Sequence, residues 1–506
     1  MKRGYVVFGL IVLAELIYSF FLVVGLHIDS LSTFITNKLA LYIFLIFIWA
    51  FSLVLIVKIL LKPSYAYNKS HWILILLLNP FVGIVLYYIF ARDFHIIKLI
   101  KHRPLIASKS FLGLEELTNP NYDDSKYGDI FKYIKDTTGR TVYQNDTHLE
   151  VLNNGDVFFP RLIEELKRAE DYIFMEFYII KNDNIGKKVL DILREKSLEG
   201  VDVYLIYDHM GSNKHLNRRY MKSLEKAGVN IGIFDPQSLS IFNSNLNFRN
   251  HRKATVVDGK VGFVGGMNLA DEYNHEDKRF GFWRDTHVVL KGNGVTSIQN
   301  VFVKDWYYIT NSVIDKPMYK TIESFEGFVS IIESGPDFEN GLIRNVYYKM
   351  MHKAKKSIKI VTPYLIIESE LMLAIQIARQ SNVEVELLVP GKHDYVAVGF
   401  ATESYYEHLL QIGVKIYEYD NTFVHSKILI IDDEIASVGS VNFDPRSFHL
   451  NFEVTTIFEN KSVNYLVESF KNDLKKSTEV KLETWKKRSI ITRIIQGLFN
   501  LFSPIF

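Results

Sequence analysis

Residues 251–268 read His251-Arg252-Lys253-Ala254-Thr255-Val256-Val257-Asp258-Gly259-Lys260-Val261-Gly262-Phe263-Val264-Gly265-Gly266-Met267-Asn268. Residues 425–442 repeat the plan, with His425-Ser426-Lys427, then Asp432, then Gly439-Ser440-Val441-Asn442. Both strings run His, one residue, Lys, four residues, Asp, six residues, then Gly-Gly or Gly-Ser, one residue and Asn. A single His-x-Lys-x4-Asp match in a chain of this composition arises by chance with a probability of about 0.05, whereas two at equivalent places with the same tail fall below about one in a thousand. The repeat is therefore a duplicated unit of chemistry.

The local structure of each string is legible. Apolar runs at 253–257 and 261–264 flank Asp258-Gly259, a strong hairpin signal, and runs at 428–431 and 435–438 flank residues 432–434 in the same way. On a strand, side chains two apart share a face, so each imidazole lies beside an ammonium.

Outward from the strings, the chain alternates short apolar runs with amphipathic ones from about residue 141, the pattern of α/β units around a buried sheet. In the first half, 161–171 reads as a helix, 172–180 and 201–207 as strands, and 217–227 as a helix closed by Gly228. The second half repeats this with a helix at 347–356, strands at 358–366 and 383–389, and a helix at 402–412 closed by Gly413. A weakly patterned stretch, 311–327, links them.

Two His-Lys pairs suit exchange at a phosphodiester. The anion repels nucleophiles, so Lys253 and Lys427 are candidates to hold its nonbridging oxygens, assisted by Asn268, Asn442 and the Ser440 hydroxyl. Imidazole titrates near neutrality, so one His can attack phosphorus while the other protonates the departing alcohol, without a metal or other cofactor. Each imidazole then needs an acidic orienter at its far nitrogen. Asp285 and Glu453 stand at corresponding places downstream, and the pairing stays open because the two halves can exchange strands. Asp258 and Asp432 complete the repeated strings and read as braces of the hairpins. The remaining histidines, among them His27, His71, His352 and His408, read as structural.

Composition narrows the field. There are 59 Lys and Arg against 57 Asp and Glu, a net charge of +2, which lacks the basic footprint expected of a nucleic-acid binder. The chain has no cysteine, which excludes thiolate nucleophiles and disulfides, and no P-loop is evident, so no nucleotide is expected.

The ends are apolar. Stretches at 5–26, 39–57 and 72–90 each approach the roughly 20 residues that span a hydrocarbon core. Glu15 weakens the first, and Asn79-Pro80 interrupts the third, where a kink or a re-entrant hairpin is expected. Basic residues cluster at Lys2 and Arg3 and again at Arg92, Lys98, Lys101 and Arg103. If both clusters are cytoplasmic, the number of crossings is even and one stretch does not span. At the other end, Lys486-Lys487-Arg488 precede Ile490, Ile491, Ile494, Ile495, Leu498 and Phe499, the pattern of an interfacial helix or of one docked on the body.

The paired strings resemble the HKD motifs of the phospholipase D superfamily. Asn250-His251-Arg252-Lys253, Phe280-Gly281-Phe282-Trp283-Arg284-Asp285, Ser334-Gly335-Pro336-Asp337 and residues 446–453 are similar to bacterial cardiolipin synthases in particular. The resemblance implies an α/β fold of two fused α/β/α-sandwich halves preceded by transmembrane helices, and a catalytic set of His251, Lys253, Asp258, His425, Lys427 and Asp432. The organisation expected is a membrane region over 1–105 with two or three apolar helices, a connecting segment over 106–140, halves over 141–310 and 328–484, and an amphipathic helix over 485–506. The implied reaction joins two phosphatidylglycerol molecules into cardiolipin and releases glycerol through a phosphohistidine, with His251 as nucleophile and His425 as acid and base. Phosphatidylglycerol and anionic membrane lipid are the expected partners, with no nucleic acid. The expected location is the cell membrane, multi-pass, with the catalytic body on the cytoplasmic side. A hydrolytic phospholipase D using the same residues is the nearest rival. A catalytically silent scaffold is the other, although it would be expected to have lost a His or Lys.

Overall fold

A computed structural model describes residues 38–61, 66–90, 120–234, 248–277, 279, 281–317, 319, 323–337, 341–420 and 422–501. The chain forms two compact units, a small one within residues 1–95 and a large one that carries both repeated strings.

In the small unit, Lys38–Leu61 is one helix of 24 residues, about 36 Å long at 1.5 Å per residue. Its segment Ile43–Leu61 is, among the described residues, the one helix long and apolar enough to cross a membrane. The apolar stretch 5–26 lies outside the described residues. The stretch 72–90 is not a single helix. Ala66–Leu78 ends before Asn79, whose side-chain oxygen accepts the Val82 N–H at 3.1 Å and so starts a second helix, Pro80–Phe90, with proline in its first turn. A Cβ on Gly83 would lie 2.8 Å from Leu76 Cα. In a straight helix, residues seven apart are separated by about 10 Å. The chain therefore bends sharply back at Asn79, and arms of 13 and 11 residues are each shorter than the roughly 20 a span requires.

The large unit contains two principal sheets. The first has seven strands in the order Thr147–Asn153, Thr286–Gly292, Val261–Gly265, Lys253–Val257, Tyr172–Phe177, Asp202–Asp208, Asn230–Phe234. The second follows the order Val142–Gln144, Phe328–Ser334, Asn451–Glu459, Ile435–Gly439, Ile428–Ile431, Ser357–Val361, Glu384–Pro390, Lys415–Tyr419, Ser477–Glu479. Strip the two outermost strands from the second list and the plans coincide. In each, an antiparallel hairpin carrying the repeated string lies beside strands that pair in parallel.

Central strands such as Tyr172–Phe177 are buried throughout, which is why they read as nearly continuous apolar runs, here interrupted by the buried Glu176, rather than as alternating ones. Helices Gly155–Lys167 and Asn184–Leu198 cover one face of the first sheet. Asp183 caps the second of these through the Gly186 N–H at 3.0 Å, a contact worth about 1 kcal/mol. The opposite face meets Val295–Thr310 and the second sheet in a shared core that includes Phe174, Val256, Phe302, Val438 and Val454. That shared core makes the halves one body.

Two details differ from the sequence pattern. The strand Val142–Gln144, which falls at the start of the first half by sequence, pairs instead with Phe328–Ser334 at the edge of the second sheet. Helix Gly128–Thr138 packs Ile130, Phe131 and Ile134 into the second core with it. The helix expected over 402–412 is two, Val396–Ser404 and Tyr406–Gln411.

Candidate active site

Each repeated string begins just after a two-residue strand, and those short strands cross between the halves. Arg249–Asn250 pairs in parallel with Asn451–Phe452, and Phe423–Val424 pairs in parallel with Trp283–Arg284. The crossings extend one residue further through His251 N–H to Phe452 O at 2.9 Å and His425 N–H to Arg284 O at 2.7 Å. The next residue on each partner strand is an acid, so each imidazole faces the carboxylate of the other half.

His251 Nδ1 lies 2.9 and 3.1 Å from the two oxygens of Glu453, and His425 Nδ1 lies 2.7 Å from Asp285 Oδ2. An ionised carboxylate only accepts, so Nδ1–H donates and the Nε2 lone pair is left for chemistry. Burial holds both imidazoles well below their ordinary range, and the neighbouring ammonium groups of Lys253 and Lys427 push the same way. The His251 charge also acts on His425. The two strings thus converge on one site.

Lys253 Nζ donates to His251 O at 2.6 Å, and Lys427 Nζ donates to His425 O. Burial lowers Lys253 to about 7 and Lys427 to about 8, against the opposing pull of Glu453 on the first and Asp285 on the second. Burial raises Glu453 to about 7 and Asp285 to about 6, each restrained by a lysine. Two desolvated cations side by side are poorly compensated, so a bound anion bridging them gains more here than it would at the surface.

The three remaining polar candidates divide. The Ser440 hydroxyl donates to Glu453 Oε2 and accepts the Val454 N–H at 3.1 Å, so it fixes the orienting carboxylate rather than reaching for phosphate. Its counterpart, Gly266, has no room for a side chain, since a Cβ there would lie 2.2 Å from Asp285 Oδ1. Asn268 accepts the Ile179 N–H at 3.0 Å and donates to Tyr273 OH at 2.6 Å, bracing the tyrosine whose ring meets His425 edge-on. Asn442 Oδ1 is buried with no hydrogen-bond partner among the described residues.

Asp258 and Asp432 are not brought to the imidazoles. Asp258 accepts the N–H groups of Glu170, Asp171 and Tyr172 at 2.8 to 2.9 Å. Asp432 accepts those of Lys355, Lys356 and Ser357 at 2.6 to 3.0 Å. Both sit at the hairpin turns with φ of 51° and 55°, at the ends of strands opposite to those bearing His and Lys. These contacts supply the bracing of the hairpins that the pattern of the two strings leads one to expect.

Other groups at the site carry weaker sequence signals. Tyr178 meets His251 edge-on at 5.0 Å and lies under Lys253 at 5.4 Å. Arg252 donates to Glu453 O at 3.2 Å and pairs with Asp305. Arg284 donates to Asp285 O at 2.7 Å and pairs with Asp473 at 2.8 Å. Each arginine therefore holds the backbone of an orienting acid. Asp394, pushed up by burial, accepts a hydrogen bond from Tyr364 OH at 2.6 Å and acts electrostatically on Lys427. Among the described residues no group of three or more His, Asp and Glu is placed to hold a metal ion. A cleft of about 470 Å³ between Gly155–Lys167 and Asn184–Leu198 holds none of these residues.

The similarity to known proteins covers both strings. A family described as "Cardiolipin synthase, PLD-like domain" matches residues 162–306 and 347–474. Cardiolipin synthase 2 of Bacillus anthracis is 38% identical over 455 residues, 88% of each chain. Cardiolipin synthase of Geobacillus sp. (strain WCH70) is 37% identical over 452 residues, 88% of this chain and 89% of that one. The crystal structure of phosphatidylserine synthase from Haemophilus influenzae Rd KW20 superposes with a TM-score of 0.57 at 16% identity, covering 74% of this chain and 98% of that one, which speaks for the fold alone.

Proposed function

The chain belongs to the cardiolipin synthase family of phospholipase D-like enzymes, and from that premise we propose that it transfers a phosphatidyl group between two phosphatidylglycerol molecules at one site shared by His251 and His425. The convergence of two crossed His–carboxylate pairs, each with a buried lysine beside it, is the observation that supports this reading.

In the proposed reaction, His251 Nε2 attacks phosphorus of the first phosphatidylglycerol and the bond from phosphorus to the head-group glycerol oxygen breaks. Protonated His425 gives its Nε2 proton to that oxygen, and glycerol leaves. His425, now neutral, takes a proton from the glycerol hydroxyl of the second phosphatidylglycerol, whose oxygen attacks phosphorus. The bond from phosphorus to His251 breaks, and cardiolipin leaves with both imidazoles restored. Lys253 and Lys427 hold the nonbridging oxygens. The phosphate anion also offsets the two ammonium charges, which raises the proton affinity of His425 where an acid is needed. One diester replaces another, so the exchange is near balance and reversible.

The membrane arrangement we infer has an even number of crossings with both basic clusters on one face; the helix Lys38–Leu61 as a crossing and the helical hairpin at Asn79, which returns to its own side, support it. By the charge rule that face is cytoplasmic, and the protein is a multi-pass membrane enzyme with its catalytic body there. The halves over 141–310 and 328–484 then act as one catalytic unit joined by 311–327.

Incubating the detergent-purified protein with phosphatidylglycerol alone tests the reading. Cardiolipin and glycerol are expected in equal amounts, and phosphatidic acid without cardiolipin would show that water is the acceptor.

A further inference from the structure

The helix Ile490–Leu501 docks on the body with its polarity inverted. Arg488, just before it, pairs with Glu407 at 2.7 Å, Gln496 donates to Glu403 at 2.8 Å, and Asn500 donates to Ser404 at 2.7 Å. Gln496 is 2% exposed, while Ile490, Ile491, Ile494 and Leu498 are 67, 67, 57 and 54% exposed. At 100° per residue, Gln496 points roughly 200° round the helix from Ile494. The docked side also holds half-buried Ile495 and Phe499, the latter stacked on Phe400 at 5.7 Å. A helix that served only to cover a core would face the other way.

The surface it docks on leads to the site. Val396–Ser404 carries Glu403 and Ser404, and is followed by Tyr406–Gln411, which carries Glu407. It starts two residues after Asp394, the partner of Tyr364 and neighbour of Lys427. Tyr395 and Val396, at that junction, are themselves exposed. Lys486 and Lys487 add exposed positive charge beside the apolar row, and Arg493, paired with Glu407 at 3.3 Å, is also exposed. An apolar row flanked by cations suits the boundary between anionic headgroups and acyl chains.

Resting on the reading that the substrate is a phospholipid, we infer that Val396–Ser404 and Ile490–Leu501 form a platform that lies on an anionic lipid bilayer and holds that surface against the mouth of the active site. The Glu403 and Glu407 contacts are the fasteners that turn the apolar row outward. The occupant is the bilayer itself, because the same lipid surface then supplies both substrate molecules.

The chain has no cysteine, so Ile494→Cys, Leu498→Cys and, as a control, Leu198→Cys can each carry one environment-sensitive fluorophore. The full-length protein is reconstituted in vesicles of phosphatidylglycerol and phosphatidylcholine with acyl chains brominated or not. Labels at 494 and 498 are expected to lose half or more of their emission to bromine and the label at 198 to keep it, while the triple variant Ile490→Ser, Ile494→Ser, Leu498→Ser lowers the ratio of vesicle turnover to turnover of monomeric short-chain phosphatidylglycerol about tenfold. Unquenched labels in protein that still makes cardiolipin overturn the platform and leave the proposed reaction standing. Quenched labels in protein that makes no cardiolipin support the platform and sink the reaction. A triple variant whose mass in detergent halves assigns the row to a second copy of the chain and overturns the inference.

Discussion

His251 takes its carboxylate from the other end of the large unit: Glu453, 202 residues further along the chain, lies 2.9 Å from its Nδ1. The reciprocal pair, His425 with Asp285, spans 140 residues in the opposite sense. Both pairs depend on two-residue parallel strands that cross between the sheets.

Replacing either acid by its amide keeps the shape and removes the charge that fixes the tautomer. Glu453→Gln and Asp285→Asn are each expected to lower kcat about 10²–10⁴-fold with little change in KM. Combining Glu453→Gln with His251→Ala should cost no more than His251→Ala alone, because the two act as one unit. Additive losses in steady-state kinetics would separate the carboxylate from the imidazole.

The division of labour is open to a trapping experiment. A phosphatidyl ester of 4-nitrophenol needs no acid to release its alcohol, so His425→Ala is expected to release one equivalent of nitrophenol and retain the phosphatidyl group on His251, visible by mass spectrometry. His251→Ala should release none. An adduct on His425 in the second variant would reverse the roles.

The pH profile follows from four buried groups. Glu453 and Asp285, raised to about 7 and about 6, carry the charge their imidazoles need only above those values, which sets an acid limb. Lys253 and Lys427, lowered to about 7 and about 8, lose their charge above those values, which sets an alkaline limb. To these is added the proton that His425 must carry to act as the acid, which burial and the two lysines make easy to lose, so a narrow bell in kcat/KM centred on the acid side of neutrality is expected for the free enzyme. Saturating substrate should extend the alkaline limb upward, since the bound anion favours both ammonium forms. A profile flat from pH 5 to 9 would contradict this electrostatic picture.

Asp258 and Asp432 are expected to act on stability rather than on chemistry. Each satisfies three backbone N–H groups, and Asp258→Ala or Asp432→Ala strands them at a cost of about 2–4 kcal/mol. The Tm should fall by several degrees while kcat at a temperature where the protein is folded stays within about threefold. A large loss of kcat without a loss of Tm would return these residues to the site.

Gly266 and Ser440 occupy equivalent places and fail differently. Gly266→Ala sets a methyl 2.2 Å from where Asp285 Oδ1 stands, displacing the carboxylate from His425, so a fall of 10²-fold or about that in kcat is expected. Ser440→Ala loses the hydrogen bond to Glu453 and the one accepted from the Val454 N–H and should cost about tenfold. Equal effects would mean that the two orienters are held alike.

How far the sequence led depends on the range of each interaction. The strings, their hairpins and the lysine beside each histidine are set by residues within about 20 of one another, and all were readable. The pairing of His251 with Glu453 was not, because one hairpin says nothing about which distant strand crosses to it. The resemblance put Asp258 and Asp432 in the catalytic set, whereas the turn chemistry of Asp258-Gly259 already pointed to bracing. Spacing showed that 490–501 is amphipathic, yet only the positions of Glu403 and Glu407 decide which face turns inward. Asn79-Pro80 marked the break in 72–90, but its sharpness depends on Gly83 admitting Leu76.

The crossed strands have a further consequence during synthesis. The membrane segments and His251 leave the ribosome well before Glu453 exists. Until the second sheet folds against the first, His251 lacks its tautomer partner and His425 is absent. A partly made chain therefore lacks the complete set of groups that the proposed reaction requires, and the order of translation delays that set until the second sheet has folded against the first.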